Sequence, residues 1–189
     1  MTFVWARATE AEVKRLSATG ELAKYRVVHF ATHGALAGQL SGTIEPGLIL
    51  TPPSSPTPED DGYLSGGEIA SLKLDADWVI LSACNTARGG AIGESSEALS
   101  GLASAFFYAG GRSLLVSHWE VDSDAAAKLV KTTFREIAKD TRVGRAEALR
   151  RAMLAVMMDT TRPGNWIPAQ HPSVWAPLAV VGEGVASSE

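Results

Sequence analysis

The chain has 189 residues, 17 Lys and Arg against 21 Asp and Glu, and a formal net charge of −4 at pH 7. Apolar residues make up 46 % and charged residues 20 %, which is typical of a folded globular protein and argues against an intrinsically disordered chain. The small net negative charge argues against direct contact with nucleic acid or anionic lipid. No apolar stretch approaches the ~20 residues of a membrane span.

Length and cysteine content narrow the class of protein further. At about 150 residues per domain, the length predicts a single domain over residues 1–189. Residues 1–20 are polar with helical spacing, unlike a signal peptide. Cys84 is the only cysteine, which excludes an intrachain disulfide and a multi-cysteine zinc site. We therefore expect a protein of the reducing cytoplasm.

The first part of the chain predicts one helix followed by two strands. The spacing of apolar residues predicts a helix over Ala8–Ala18 with Thr9 as its N-cap. β-Branched and aromatic residues predict a strand over Tyr25–Ala31, which Gly34 ends. A second short strand is predicted over Gly47–Thr51.

The middle of the chain predicts a loop, a helix and a buried strand. The proline-rich stretch Pro52–Gly62 predicts a mobile surface loop. Ser65–Leu72 is predicted to be a short helix, with Glu68 completing a capping box. The continuous apolar run Trp78–Ala83 is typical of a strand covered on both faces. It leads into a polar, glycine-rich turn over Cys84–Gly90.

The last part of the chain continues the alternation of helices and strands. Its predicted elements are a helix over Glu97–Ala109, a strand over Ser113–Ser117, helices over Asp122–Lys139 and Gly144–Met158, and a strand over Leu178–Val181. Strands that alternate with helices indicate an α/β fold whose mostly parallel sheet has helices on both faces.

Polar or reactive side chains follow three of the predicted strands. These groups are Thr32–Gly34, Ser82–Cys84 and His118–Asp122. In parallel α/β sheets, ligands bind where the strands reach their carboxyl ends. If the strands are parallel, all three groups lie at one edge of the sheet, where they can form one site.

Cys84 and His33 are the candidate reactive pair. A free cysteine is more often a buried, small hydrophobic residue, but Cys84 ends a strand and precedes polar residues that include Arg88. A nucleophilic thiol needs a lowered pKa, which Arg88, His33 or a following helix N-terminus can supply. His33, next to Gly34, can reach a neighbouring strand and shuttle the thiol proton. The alternative for His33 is a hydrogen-bonded structural role.

Two other motifs are weaker. His29 and His33 are four residues apart, but on a strand this spacing separates their side chains by about 13 Å, which argues against a shared metal ion. We interpret His29 as a packed, hydrogen-bonded core residue. The glycine-rich run Gly89–Gly93 lacks the following Lys-Ser/Thr pair of a phosphate-binding loop. Its glycines equally suit the close approach of a peptide to the backbone.

The residues after the Ser113–Ser117 strand have structural and functional interpretations. Asp122 and Asp124 can cap the following helix and stabilise its positive end, or they can pair with a cationic substrate side chain. Trp119 can pack in the core or form the wall of a substrate pocket. His118 and His171 have no assignment beyond a structural one.

Five segments, taken in order, carry a family resemblance. They are Val28–Gly34, Val79–Thr86, Gly101–Gly110, Leu115–Asp122 and Trp175–Gly182. Together they resemble the CHAT domain, a family grouped with the caspase-, separase- and gingipain-like cysteine peptidases. The resemblance runs from about Thr9 to Gly184, nearly the whole chain. It implies a three-layer α-β-α caspase-like fold with a mostly parallel central sheet.

The resemblance also implies roles for particular residues. His33 matches the general base and Cys84 the nucleophile of the family, and the backbone N–H groups of Gly34 and Cys84 match its oxyanion donors. In related separases, an aspartate after the strand that follows the catalytic strand accepts a basic side chain of the substrate just before the scissile bond. Asp122, or less closely Asp124, matches it. No cofactor and no metal are implied.

The leading hypothesis is a cysteine endopeptidase that hydrolyses a protein substrate through a Cys-His dyad and an acyl-enzyme. CHAT domains usually follow tetratricopeptide or other sensor repeats, so we expect a carboxyl-terminal module of a longer protein that a partner or sensor activates. The loop Pro52–Gly62 is a candidate for rearrangement on activation. The alternatives are a catalytically silent peptide-binding module with the same fold, and a hydrolase or acyltransferase that acts on a non-peptide ester or amide.

Overall fold

The computed structural model of the protein describes residues 2–4, 7–35, 44–82, 94–119, 123–159 and 168–185. The strands in these ranges are β1 (Val27–Phe30), β2 (His33–Ala35), β3 (Gly47–Ile49), β4 (Tyr63–Ser65), β5 (Trp78–Leu81), β6 (Ser113–Ser117) and β7 (Leu178–Gly182). The helices are α1 (Glu10–Ala18), α2 (Gly66–Ala70), α3 (Glu94–Tyr108), α4 (Ser123–Lys139), α5 (Arg145–Met157) and α6 (Pro172–Trp175).

The strands form a main sheet and a small sheet. The main sheet has the order β1-β5-β6-β7, with β1, β5 and β6 parallel and β7 antiparallel to β6. The small sheet is antiparallel and has the order β2-β3-β4. The predicted α/β fold with a mostly parallel central sheet is therefore confirmed.

The main sheet separates two hydrophobic cores. Val79 and Leu81 of β5 pack into a first core together with residues of α1, α2 and α3, whereas Trp78 and Ile80 pack into a second core with residues of α4, α5 and α6. Because successive side chains of a strand point to opposite faces, both faces of β5 are covered. This arrangement gives the three layers, helix, sheet and helix, that the sequence predicts.

The small sheet was not predicted as such. The chain bends at Thr32 and enters β2 at His33, so Gly34 lies buried inside a strand and does not end one. That prediction was wrong. Before α2, Tyr63–Ser65 forms β4 and pairs with β3, where no strand was predicted. The strand predicted over Gly47–Thr51 is present as β3. β2 and β4 have three residues each, which is too short for an alternating pattern to be recognised in sequence.

Local capping signals were predicted correctly. The hydroxyl of Thr9 accepts the backbone N–H of Glu12 at 3.2 Å and caps α1. Ser65 and Glu68 form the capping box of α2. Gly110, which follows α3, has a φ of +104°, and a Cβ there would lie 2.3 Å from the carbonyl oxygen of Leu74. Glycine is required at this turn because no other residue fits both constraints.

The edge at which the parallel strands begin, here called the amino edge, carries a cluster of ion pairs. Its members are Arg26, Asp75, Asp77, Arg112, Arg145 and Glu183. Arg145, only 4 % exposed, lies 3.7 Å from Asp77 and 3.3 Å from Glu183. Arg26 binds Asp77 through two hydrogen bonds of 2.8 and 2.7 Å. These pairs join the strand ends to one another.

A buried carboxylate attaches the proline-rich loop to α1. Glu10 is 1 % exposed and accepts the N–H groups of Asp61 at 3.0 Å and of Gly62 at 2.9 Å. Lys14 binds Glu10 and also Glu68, at 2.7 Å. The carboxyl-terminal end of the loop 52–62 is thereby held against α1 and α2. The predicted mobility of this loop stays a prediction.

Candidate active site

The edge of the main sheet at which β1, β5 and β6 end is here called the carboxyl edge. β1 and β5 are neighbours in the sheet, and Phe30 of β1 lies opposite Leu81 of β5. His33 and Cys84 each follow these paired residues by three positions. Neighbouring strands lie about 4.8 Å apart, and three residues span at most about 10 Å. The segments that contain the two candidate reactive residues therefore start from adjacent points of one edge.

His33 is the first residue of β2 and is exposed. It lies opposite Ile49 in the antiparallel pair with β3. The hydroxyl of Thr32 donates a hydrogen bond to the carbonyl oxygen of the same Ile49. The backbone just before His33 is thus attached to the small sheet, which fixes where the imidazole leaves the chain. The catalytic role of His33 stays a prediction.

Gly34 is buried in β2 and lies opposite Leu48. The predicted use of its N–H group as an oxyanion donor stays a prediction. Cys84, Arg88 and the run Gly89–Gly93 lie in residues 83–93, outside the described part of the chain. The helix α3 begins directly after that segment, at Glu94.

The exit of β6 carries the predicted substrate-binding residues. Trp119 is 38 % exposed, and its ring centroid lies 6.3 Å from that of His118. Ser117 donates a hydrogen bond to the carbonyl oxygen of Trp119, and the N–H of His118 donates to Pro177 at 2.8 Å. These bonds hold the backbone that presents the indole. Because the residue is exposed, the alternative of a core position for Trp119 is wrong.

The two predicted aspartates differ in what the structure describes. Asp124 is exposed in the first turn of α4, where an acidic side chain also stabilises the positive end of the helix. Asp122 lies in residues 120–122, outside the described ranges. Binding of a cationic substrate by either residue stays a prediction.

One polar pair at the carboxyl edge was not predicted. Nε2 of His29 lies 2.7 Å from Oγ of Ser82. His29 was expected to be a packed, hydrogen-bonded core residue. The hydrogen bond is present, but the side chain is exposed, so the core position was wrong. Desolvation of the ring nevertheless lowers the pKa of His29 from its ordinary value.

The alternation of residues in β1 could have predicted which face of the sheet His29 occupies, but not that this face is exposed. Val28 and Phe30 pack into the first core, so His29 must point to the opposite face of β1. That face is exposed because β1 is an edge strand of the main sheet and, among the described residues, adds no side chain to the second core. The position of a strand in the sheet order is a tertiary property that the local pattern does not contain.

Two kinds of feature are absent from the described ranges. Within them, no helix is both long enough and apolar enough to cross a membrane. Among the same residues, no three His, Cys, Asp or Glu side chains are grouped so that they could hold a metal ion.

Comparison with known proteins identifies the family. No curated protein matches the chain. A family model described as the CHAT domain matches residues 2–183 of 189. That match extends over the main sheet, the small sheet and both helical layers, in agreement with the sequence resemblance. The protein belongs to the CHAT domain family, which is related to the caspase-like peptidases.

Proposed function

We propose that this CHAT domain is a cysteine endopeptidase that cleaves a protein substrate with Cys84 as nucleophile and His33 as general base, under the control of a regulatory partner. The family relationship supports a peptidase-like fold. The observation that carries the proposal is the register of β1 and β5. Phe30 lies opposite Leu81, and one candidate residue follows three positions after each of them.

Three features of the described residues are compatible with this chemistry. The imidazole of His33 is exposed and can meet a substrate. The hydrogen bond from Thr32 to Ile49 fixes the backbone that presents it. Trp119 offers an exposed apolar face at the neighbouring exit of β6, which suits the contact of a substrate side chain.

The proposed reaction has two steps. In the first, Sγ of Cys84 attacks the scissile carbonyl carbon while His33 accepts the thiol proton. The N–H groups of Gly34 and Cys84 stabilise the oxyanion. The C–N bond then breaks, and His33 returns the proton to the leaving amine. In the second step, His33 takes a proton from water, the resulting hydroxide attacks the thioester, and the thiol is regenerated as the acid product leaves.

Substrate choice is proposed to depend on the exit of β6. Asp122, or in second place Asp124, pairs with a basic side chain just before the scissile bond, since a carboxylate and a guanidinium form strong charge-assisted hydrogen bonds. Comparison of Asp122→Asn with Asp124→Asn against peptides that carry Arg or Leu at that position separates the two residues. The variant of the true partner loses its preference for Arg, and the other variant keeps it.

The test of the proposal is peptide hydrolysis by the full chain, measured with a fluorogenic peptide library. Cys84→Ala and His33→Ala are each expected to lower kcat/KM by at least about 10³-fold. His171→Ala is the matched control, because His171 is also exposed but caps α6 through the N–H of Ser173. This control is expected to hydrolyse peptides like the wild type.

Two results would overturn the proposal. Undiminished hydrolysis by Cys84→Ala would exclude the thiol as nucleophile. Peptide binding that is equal in the wild type, Cys84→Ala and His33→Ala, with no turnover, would instead identify a silent binding module. Hydrolysis of esters or non-peptide amides alone would retain the dyad but change the substrate class.

A further inference from the structure

A hydrogen bond between side chains joins β1 to β5 at the carboxyl edge. Nε2 of His29 and Oγ of Ser82 are 2.7 Å apart. His29 belongs to β1, and Ser82 is the residue directly after β5. The two strands are those that lead to His33 and Cys84. The bond therefore connects the histidine-bearing segment to the cysteine-bearing segment.

The pattern of buried residues explains why these two side chains meet. Val28 and Phe30 pack into the first core, which leaves His29 on the second-core face of the sheet. On β5, Trp78 and Ile80 pack into the second core. Ser82 continues that alternation by two residues, so it points to the same face as His29.

Ser82 is held by its backbone as well as by its side chain. Its N–H donates to the carbonyl oxygen of Phe30 at 3.1 Å, which extends the ladder between the strands by one bond. The two bonds fix both the position and the rotation of Ser82. Cys84 follows only two residues later, so this is the last fixed point described before the proposed nucleophile.

We propose that His29 and Ser82 are positioning residues that hold the segment bearing Cys84 in register with the segment bearing His33. This inference rests on the proposed function, because it assigns the pair a role in aligning the dyad. Neither side chain takes part in bond making. A change at either one alters the distance and angle between thiol and imidazole, and reactions of this kind are sensitive to displacements of about 1 Å.

A second link between β1 and β5 provides the matched control. At the amino edge, Arg26 binds Asp77 with hydrogen bonds of 2.8 and 2.7 Å. It joins the same two strands at the opposite end of their pairing. Arg26→Gln weakens that link without touching the carboxyl edge. It therefore separates an effect on alignment from a general loosening of the β1–β5 pair.

The test uses the only cysteine of the chain as its own probe. The rate of alkylation of Cys84 by iodoacetamide is measured on the full chain from about pH 5 to about pH 9, because this rate follows the thiolate fraction. Ser82→Ala and His29→Phe are expected to alkylate about tenfold more slowly than wild type at about pH 6, where an aligned imidazole has the largest effect. Thermal unfolding of each variant is measured in parallel.

Two conservative variants test for rescue. Ser82→Thr keeps a hydroxyl group, and His29→Gln keeps a polar atom near the position of Nε2. Both are expected to alkylate within about twofold of wild type. Arg26→Gln is expected to unfold at a lower temperature and to keep the wild-type pH profile of alkylation. This combination of results is not produced by a loss of stability alone.

The outcomes distinguish the inference from the proposed function. If His33→Ala changes the alkylation profile but Ser82→Ala and His29→Phe do not, the dyad stands and the positioning role is overturned. If Arg26→Gln changes the profile as much as Ser82→Ala does, the effect is general loosening, and the positioning role is again overturned. If His33→Ala also leaves the wild-type profile unchanged, both the dyad and its alignment are refuted.

Discussion

The two edges of the main sheet are built from different interactions. At the amino edge, the described residues form a cluster of ion pairs, with Arg145 nearly buried between Asp77 and Glu183. At the carboxyl edge, the described links are hydrogen bonds between neutral groups, from Thr32 to Ile49, between His29 and Ser82, and from Ser117 to Trp119.

We infer from this difference that the amino edge mainly stabilises the sheet, whereas the carboxyl edge carries the candidate reactive segments. Ion pairs among the strand ends hold the sheet together, and a charge near a thiol or an imidazole shifts its pKa. Placing the cluster at the amino edge keeps its charges away from the segments that lead to His33 and Cys84. We therefore expect substitutions at the amino edge to change unfolding, and substitutions at the carboxyl edge to change reactivity.

The largest expected effect is that of Arg145→Met. Removal of a nearly buried cation loses its contacts with Asp77 and Glu183, and hydrogen bonds to charged groups contribute on the order of 2 kcal/mol, so we expect a loss of about 2 kcal/mol in the free energy of unfolding. Urea denaturation measures this loss. Arg142→Met is the control, because the Arg142 side chain is 91 % exposed, and it is expected to cost less than about 0.5 kcal/mol.

Reactivity is the second measurement on Arg145→Met. In the folded fraction, the alkylation rate of Cys84 is expected to stay within about twofold of wild type. A large fall in this rate, in protein that is still folded, would mean that the two edges are coupled and would break the comparison between them.

The next effect is that of Thr32→Val at the carboxyl edge. Valine keeps the branched shape but loses the hydroxyl that donates to Ile49, so the backbone before His33 is released from the small sheet. We expect kcat/KM for peptide hydrolysis to fall about tenfold, with a change of no more than about 1 kcal/mol in the free energy of unfolding. Thr32→Ser, which keeps the donor, is expected to retain most of the activity. Equal activity of the two variants would contradict this role of the hydroxyl.

The smallest effect is a difference in the pH range over which each edge loses stability. The hydrogen bond from Arg112 lowers the pKa of Asp75 below its ordinary value of 3.8. Desolvation lowers the pKa of His29 below 6.5. In both cases the unfolded state binds the proton more readily than the folded state, so stability is complete above the unfolded pKa and falls as pH drops through the folded one.

Two variants separate these ranges. The difference in unfolding temperature between wild type and His29→Gln is expected to change as pH falls below 6.5, while the difference for Asp75→Asn changes only below 3.8. Thermal unfolding in a series of buffers measures both differences. If the two variants diverge from wild type over the same pH range, the edges do not titrate separately.

Much of the main sheet could be predicted from sequence because its signals are local. The apolar runs that become β5 and β6, the N-cap Thr9 and the capping box of Ser65 each act within a few residues. Of the small sheet, only β3 could be predicted in this way. The other two strands of this sheet, of three residues each, are defined by pairing with distant segments, and that pairing is what turns His33 into the first residue of a strand.

For the candidate site, the sequence predicts only the edge of the sheet at which it lies. Parallel strands place the segments after Phe30 and Leu81 at one edge, and that followed from the alternation of helices and strands. The link between His29 and Ser82 did not follow. It depends on β5 being the inner neighbour of β1 and on β1 being an edge strand, and neither property is contained in the residues around His29.

The complete burial of β5 limits how the strand that leads to the proposed nucleophile can vary. All four of its residues are buried, and they alternate between the two cores. A library randomised at these positions would therefore return almost only apolar side chains of similar volume, since either core rejects a polar group or a cavity. Engineered substitutions that alter this domain without disturbing its cores therefore belong in the loops and edge strands, because β5 has no exposed position.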